Sequence, residues 1–252
     1  MKVLVTFAVD AEFAPWRRLR PFHRTLLGSA PVYESCIGGA EVSAVCTGIG
    51  PGQAARLMPR LLAEPPAVCI SSGLAGGLRH EYRPGTVLAA RAVRRLDAPG
   101  FEKSDAALLR QAGTAGARVV DTFLTSESVI LTAEQKSRLG ALADAVEMES
   151  FEILKAMSAL RIPAVAVRAV SDPADADLPL DFNRIVGAEG RVSFPRLTGQ
   201  IAARPHRIPA LIRLGRESRR AAASLAEFLD AFVSTLAMRA GQELRFAEAA
   251  AG

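Results

Sequence analysis

The chain is 252 residues long, half of them hydrophobic and 23% charged, a globular composition with length for one large α/β domain or two small ones. Its net charge of +5 is local: residues 191–220 hold 8 arginines against the single acid Glu217, so only this segment could offer nucleic acid a basic face. It lacks interleaved aromatics and a recognised binding motif, and no nucleic-acid partner is expected.

The amino-terminal stretch "MKVLVTFAVDAEF" has one lysine and a short apolar run ending at Asp10 and Glu12, without the longer apolar region of a signal peptide, and reads as a first strand. No run approaches the ~18 consecutive apolar residues of a spanning helix. Residues 42–47 read as another strand, and "GPGQAARLMPRLLAE" as a helix interrupted at Pro59. "AVCISSGLAGGL" is a buried strand entering a glycine-rich turn, and "GTVLAARAVRRL" a strand. Ser104 to Gly116 has helical spacing, "RVVDTFLT" is a strand, and Thr132 caps a helix to Leu142. After "VEMES" a helix runs through Leu160, followed by the strand "AVAVRAVSD". This alternation predicts a three-layer α/β/α fold around a largely parallel mixed central sheet. A long C-terminal helix follows "ARPHRIP", its stripe running from Leu211 to Leu236. The domains expected are a catalytic unit over 1–204, a basic amphipathic helical extension over 205–240 and a flexible tail over 241–252.

Cys36, Cys46 and Cys69 are odd in number, lack a CxxC spacing and lie in apolar strand-like runs, which reads as reduced buried thiols and favours the cytoplasm. His23, His80 and His206 are scattered, so no metal is expected. The acids are better organised. Three strand ends each present one: "AVDAEF" with Asp10 and Glu12, "VEMES" with Glu147 and Glu149, and "VRAVSDPAD" with Asp172. Singly, each fits a helix start or an Asp-Pro turn. Together with the glycine-rich "TGIGPG" and "SSGLAGGL" they describe a carboxylate-lined cleft at the carboxyl ends of the strands, where glycines let backbone approach a ligand.

These five motifs, in this order, resemble the nucleoside phosphorylase and methylthioadenosine/S-adenosylhomocysteine nucleosidase superfamily. "VEMESFEI", "RAVSDPADADLP" and the tail "RPHRIPALIRLGRESRRA" resemble in particular its hopanoid-associated phosphorylases. The resemblance implies cleavage of the N-glycosidic bond of an adenine nucleoside without a cofactor. Asp172 is then the acid at purine N7, by raising its pKa or through a contact made only with substrate. Glu149 takes the ribose hydroxyls and stabilises the cation developing on the sugar, and Glu12 activates water. Met148 packs on the ribose, and Glu147 lies beside the base with a partly structural role. Further substrate contacts are implied at Gly73, Ala75, Gly76, Ser171, Val129 and Ile130; Val129 stands where many relatives stack an aromatic ring on the base.

Ser71 and Leu74 stand where the resemblance implies that phosphorylases place an arginine and a serine around phosphate; with the arginine absent and Glu12 present, hydrolysis is expected over phosphorolysis, with phosphate a co-substrate only in the latter case. The subgroup implies adenosylhopane as substrate, with Arg213, Arg216, Arg219 and Arg220 meeting a membrane surface at its inner face, and a homodimer or larger assembly. The alternatives are a methylthioadenosine/S-adenosylhomocysteine nucleosidase, a purine nucleoside phosphorylase, or a non-catalytic nucleoside-binding protein.

Overall fold

The computed structural model describes residues 1–27, 30–187 and 189–251, with side chains described up to residue 242. The tail expected over 241–252 therefore lies largely outside the described side chains. The apolar opening run forms β1 (Lys2–Phe7) and turns directly into α1 (Asp10–Leu19), which places Asp10 and Glu12 in the first turn of a helix. Two strands that alternation did not reveal follow, β2 (His23–Leu27) and β3 (Ala30–Ile37), then β4 (Ala40–Cys46) and α2 (Pro51–Leu61). Pro59 does not interrupt α2, whose last turn closes with Leu62 N donating to Met58 O at 3.0 Å.

The glycine-rich run splits into β5 (Val68–Ser71) and β6 (Leu74–Gly77), ahead of β7 (Val87–Arg95) and β8 (Phe101–Lys103). Next come α3 (Ala106–Thr114), β9 (Arg118–Thr125) and α4 (Ala133–Leu139), where Thr132 and Gln135 form a reciprocal capping box. β10 (Ala145–Glu147), α5 (Ser150–Ala159) and β11 (Ala164–Asp172) complete the sheet. The short α6 (Phe182–Ile185), α7 (Phe194–Ala203) and the long α8 (Ile208–Ala251) follow.

The described strands form one mixed sheet in the order β2-β3-β4-β1-β5-β11-β6-β10-β9-β7-β8. β11 runs parallel to β5 and β6 and also pairs antiparallel with β7, so the second half of the sheet curls closed around it. This explains its unbroken apolar run, since a strand covered on both faces has no solvent side to alternate toward. One core face packs Phe7, Phe13 and Trp16 against Leu225, Phe228, Leu229 and Phe232 of α8; the other packs Met58 of α2 and Leu154 and Met157 of α5. The stretch of α8 from Ala221 to Ala237 thus shares one core with β1, β11 and α1, and Asp230 fastens it by accepting from Arg20 at 2.7 and 2.9 Å. Arg213, Arg216, Arg219 and Arg220 on its first half are exposed.

The cysteine expectation needs correction. Cys69 is buried and Cys46 half-buried, and burial pushes both thiols up to about 12, but Cys36 is exposed, because β3 turns Ile37 inward. If α8 is part of the core, Phe232→Ala should cost about 3–5 kcal/mol in denaturant unfolding; a loss within a few tenths would show that the helix packs only loosely.

Candidate active site

Arg168 of β11 is 1% exposed and Glu147 of β10 is 0% exposed, and the guanidinium Nη2 donates to Glu147 Oε2 at 2.6 Å. The same oxygen accepts from the backbone N–H of Glu149 at 3.0 Å and Ser150 at 2.7 Å, while Oε1 takes the hydroxyl of Thr125. Glu147 therefore caps α5 and is filled by partners within the fold, leaving it a scaffold role.

Around this pair sit two more buried carboxyls. Glu149 precedes α5; its Oε1 accepts from Gly50 N at 2.9 Å and its Oε2 lies 3.7 Å from Arg168 Nη2. Burial, reinforced by repulsion from Glu147, pushes its carboxyl up to about 8. Glu12 reaches back from α1, Oε2 accepting from Ala8 N at 2.8 Å and Val9 N at 3.3 Å, and Oε1 from Leu74 N at 2.9 Å. Burial raises this carboxyl too, opposed by the Leu74 N–H and by the charge of Arg168.

The glycine-rich strand end makes room for these acids. A Cβ on Gly73, whose φ is +145°, would stand 3.1 Å from Glu12 Oε2, and one on Gly76 would stand 3.2 Å from Asp172 Oδ2. The close approach expected of a ligand is made first by the protein's own carboxylates.

Asp172 ends β11 with its side chain 12% exposed. Its Oδ1 accepts from Ser171 Oγ at 2.6 Å and its Oδ2 from Lys136 Nζ at 2.5 Å. Asp172 thus has an ammonium beside it, carried on α4.

Of the other expected positions, Met148 is half-buried between the two glutamates and Ala75 accepts from Ser171 Oγ through its carbonyl at 3.2 Å. Val129 is engaged through its backbone: its N–H donates to Asn183 Oδ1 at 2.7 Å and its carbonyl accepts from Asn183 Nδ2 at 2.9 Å. Among the described residues no hydrogen bond engages the Ile130 backbone. Ser71 does not face the cleft: it is wholly buried with its hydroxyl 3.0 Å from Ser150 Oγ. A cavity of about 750 Å³ begins one residue beyond Ile130, lined by Leu131, Thr132, Asp181 and Arg196 among others. A larger one of about 900 Å³ lies against Leu26, Val32 and Val45 and touches none of the three acids.

Glu12 and Glu149 thus lie within reach of the Arg168 charge that Glu147 pairs, and Asp172 ends the β11 strand on the opposite edge of β6 from β10, with Gly76 paired to Val146 on one side and to Asp172 on the other. Lys136, Arg168 and Asn183 escaped sequence reasoning, although a lone arginine in the apolar run of β11 was a usable signal, since a charge there must be paired.

Residues 2–193 match the family described as the phosphorylase superfamily. The chain belongs to that superfamily. A 5′-methylthioadenosine/S-adenosylhomocysteine nucleosidase of Listeria monocytogenes is 27% identical over 197 residues, covering 67% of this chain and 84% of that protein. One from Actinobacillus succinogenes is 28% identical over 200 residues, covering 70% and 87%. Among solved structures, the Neisseria meningitidis nucleosidase in complex with methylthio-immucillin-A superposes with a TM-score of 0.72 at 22% identity, over 93% of this chain and 99% of that one. Native futalosine hydrolase of Helicobacter pylori gives 0.72 at 17% identity, over 93% and 98%. All three acids and both buried cations lie inside the superfamily match, whereas α7 and α8 lie beyond it.

The Glu149 carboxyl binds its proton more tightly folded than at its ordinary value of 4.5, so its stabilising contribution is whole below pH ~4.5 and is lost as pH rises through about 8. In denaturant unfolding from pH 5 to 9, wild type should lose stability relative to Glu149→Gln by on the order of a few kcal/mol. Parallel curves for the two proteins would contradict the assignment.

Proposed function

We propose that the chain hydrolyses the N-glycosidic bond of an adenine nucleoside and releases adenine. The observation that carries this reading is the convergence of three buried carboxyls on the short strand β6: Glu12 at Gly73 and Leu74, Asp172 at Gly76, and Glu149 two residues past the end of β10, which pairs with it. Breaking that bond leaves positive charge on the sugar and a basic leaving group, and help is needed at both ends. Asp172 delivers a proton to the departing base, for which general acid catalysis contributes ~10²–10⁴-fold. Glu149 takes ribose hydroxyls and faces the developing cation, an interaction that strengthens toward the transition state. Glu12, made more basic by burial, accepts the proton of the attacking water. Ile130 offers its backbone to the edge of the base.

Water is favoured over phosphate by the charge balance. The arginine missing from the expected phosphate position has a buried counterpart in Arg168, but that guanidinium is already given to Glu147 and shared with Glu149. A phosphate dianion entering here would meet carboxylates, and the two buried cations beside them, Arg168 and Lys136, are both committed to those carboxylates. Adenine release should therefore proceed without phosphate, and Glu12→Gln and Asp172→Asn should each lower kcat by ~10²–10⁴-fold. Sugar 1-phosphate formed only in the presence of phosphate would assign the reaction to phosphorolysis instead.

We carry the reading further, to a nucleoside with a large apolar 5′ group, adenosylhopane, drawn from a membrane. Its support is the first half of α8, where exposed Arg213, Arg216, Arg219 and Arg220 accompany exposed Ile208 and Ile212, a basic and apolar surface suited to an anionic bilayer. Reversing these four charges should abolish sedimentation with anionic liposomes while adenine release from a soluble nucleoside is unchanged. Unaltered liposome binding would remove the membrane role. Preference for 5′-methylthioadenosine over adenosylhopane would return the chain to the activity named for its Listeria and Actinobacillus relatives.

A further inference from the structure

Lys136 is wholly buried, on a helix whose other charged side chains, Glu134 and Arg138, are exposed. An ammonium taken out of water is tolerated only when its donors are satisfied. Its three N–H groups go to Asp172 Oδ2 at 2.5 Å, Pro173 O at 2.9 Å and Ala176 O at 3.0 Å. The helix that delivers it is tied to the same segment, with Ala133 N donating to Asp177 Oδ1 at 2.8 Å and Leu178 N to Leu131 O at 2.8 Å. The other carboxylate oxygen faces Ser171 Oγ, whose single proton has two acceptors, Asp172 Oδ1 at 2.6 Å and Ala75 O at 3.2 Å. Asp172 thus has an ammonium donor at one oxygen and a hydroxyl donor at the other.

We propose that Lys136 is a positioning residue that supplies, through Asp172, the proton received by the departing base. This rests on Asp172 being the acid of the proposed hydrolysis. As the C1′–N9 bond breaks, its electron pair stays with the base; the Nζ–H facing Oδ2 passes to Asp172 and Asp172 hands a proton on to N7, leaving a neutral amine still donating to Pro173 O and Ala176 O. Water adds its hydroxyl to C1′ and its proton to Glu12, which releases it to solvent, and one solvent proton restores the ammonium.

The charged groups on the surrounding elements are directed elsewhere. Asp177 accepts from Ala133 N, Asp175 lies 3.9 Å from both His80 and Arg83, Asp144 takes Arg79 and Tyr82, and Glu147 takes Arg168. Glu134 and Arg138 pair with each other at the surface of α4.

The test is kcat and KM from pH 5 to 9.5 for wild type, Lys136→Gln, Lys136→Arg and Asp172→Asn. The substrate is whichever of adenosine, 5′-methylthioadenosine and adenosylhopane the wild type cleaves fastest, with folding checked by thermal melting. Without Lys136, Asp172 must take its proton from solvent, a supply that grows as pH falls. Lys136→Gln should lose ~10²-fold or more in kcat at pH 8, recover toward pH 5 and keep KM within a few-fold. Lys136→Arg, which retains the charge but holds its protons across this range, should show the same acid shift and keeps the test open if the glutamine variant fails to fold. A uniform loss at every pH, or a wild-type profile for Lys136→Arg, would overturn the proton-supply role. An active Asp172→Asn, or a wild type inactive on all three nucleosides, would instead overturn the nucleosidase reading.

Discussion

The Arg168–Glu147 ion pair is the interaction on which the remaining geometry depends. Two charges with almost no exposure cost several kcal/mol each to desolvate, and such a pair is sustained only when the remaining donors and acceptors are also met. Here they nearly all are. Glu147 takes two backbone N–H groups, a threonine hydroxyl and the guanidinium, and Arg168 Nη1 donates to Val167 O at 3.1 Å, with Nε alone unpartnered. The pair joins β9, β10, β11 and the start of α5 at one point, and so decides where Glu149 stands. The same guanidinium lowers the cost of keeping Glu12 and Glu149 close together, since its charge acts on both. An uncharged residue at 168 would leave three acids crowded without a cation.

The pattern of acids divides by what surrounds each. Glu147 is saturated by the scaffold. Glu149 and Glu12 are held by backbone N–H groups while burial raises both carboxyls, which makes each a stronger base once it is ionised. Asp172 alone has an ammonium within hydrogen-bond distance. Four carboxyls of similar intrinsic chemistry are thus separated into distinct tasks by their neighbours.

Much of this was legible in advance. The bounds of β9 and β11 follow from "RVVDTFLT" and "AVAVRAVSD" because both are continuous β-rich runs closed by turn residues, and Thr132 announces α4 because a capping hydroxyl followed by Gln135 leaves a local signature. The acids were visible because each lies at the end of a strand or a few residues past it. Lys136 was not, because "AEQKSRLG" has the composition of a solvated helix and only the tertiary course of residues 172–176 buries it. The helix α1 was hidden by its brevity after an apolar strand, and β2 and β3 by irregular alternation, β2 being exposed along its length. Pro59 falls near the carboxyl end of α2, where the helix accommodates it for two further residues.

The glycines at 73 and 76 have a consequence for how this site tolerates change. Each supplies an absence: the space a methyl group would fill is occupied by a carboxylate oxygen of Glu12 or Asp172. Selection acting on the acids therefore reaches positions that donate no atom to the chemistry, and a mutational map of activity would score these two glycines beside the acids themselves. The outline of the site is written partly in missing side chains, so any transplant of the three carboxyls into another scaffold must carry the gaps along with the groups.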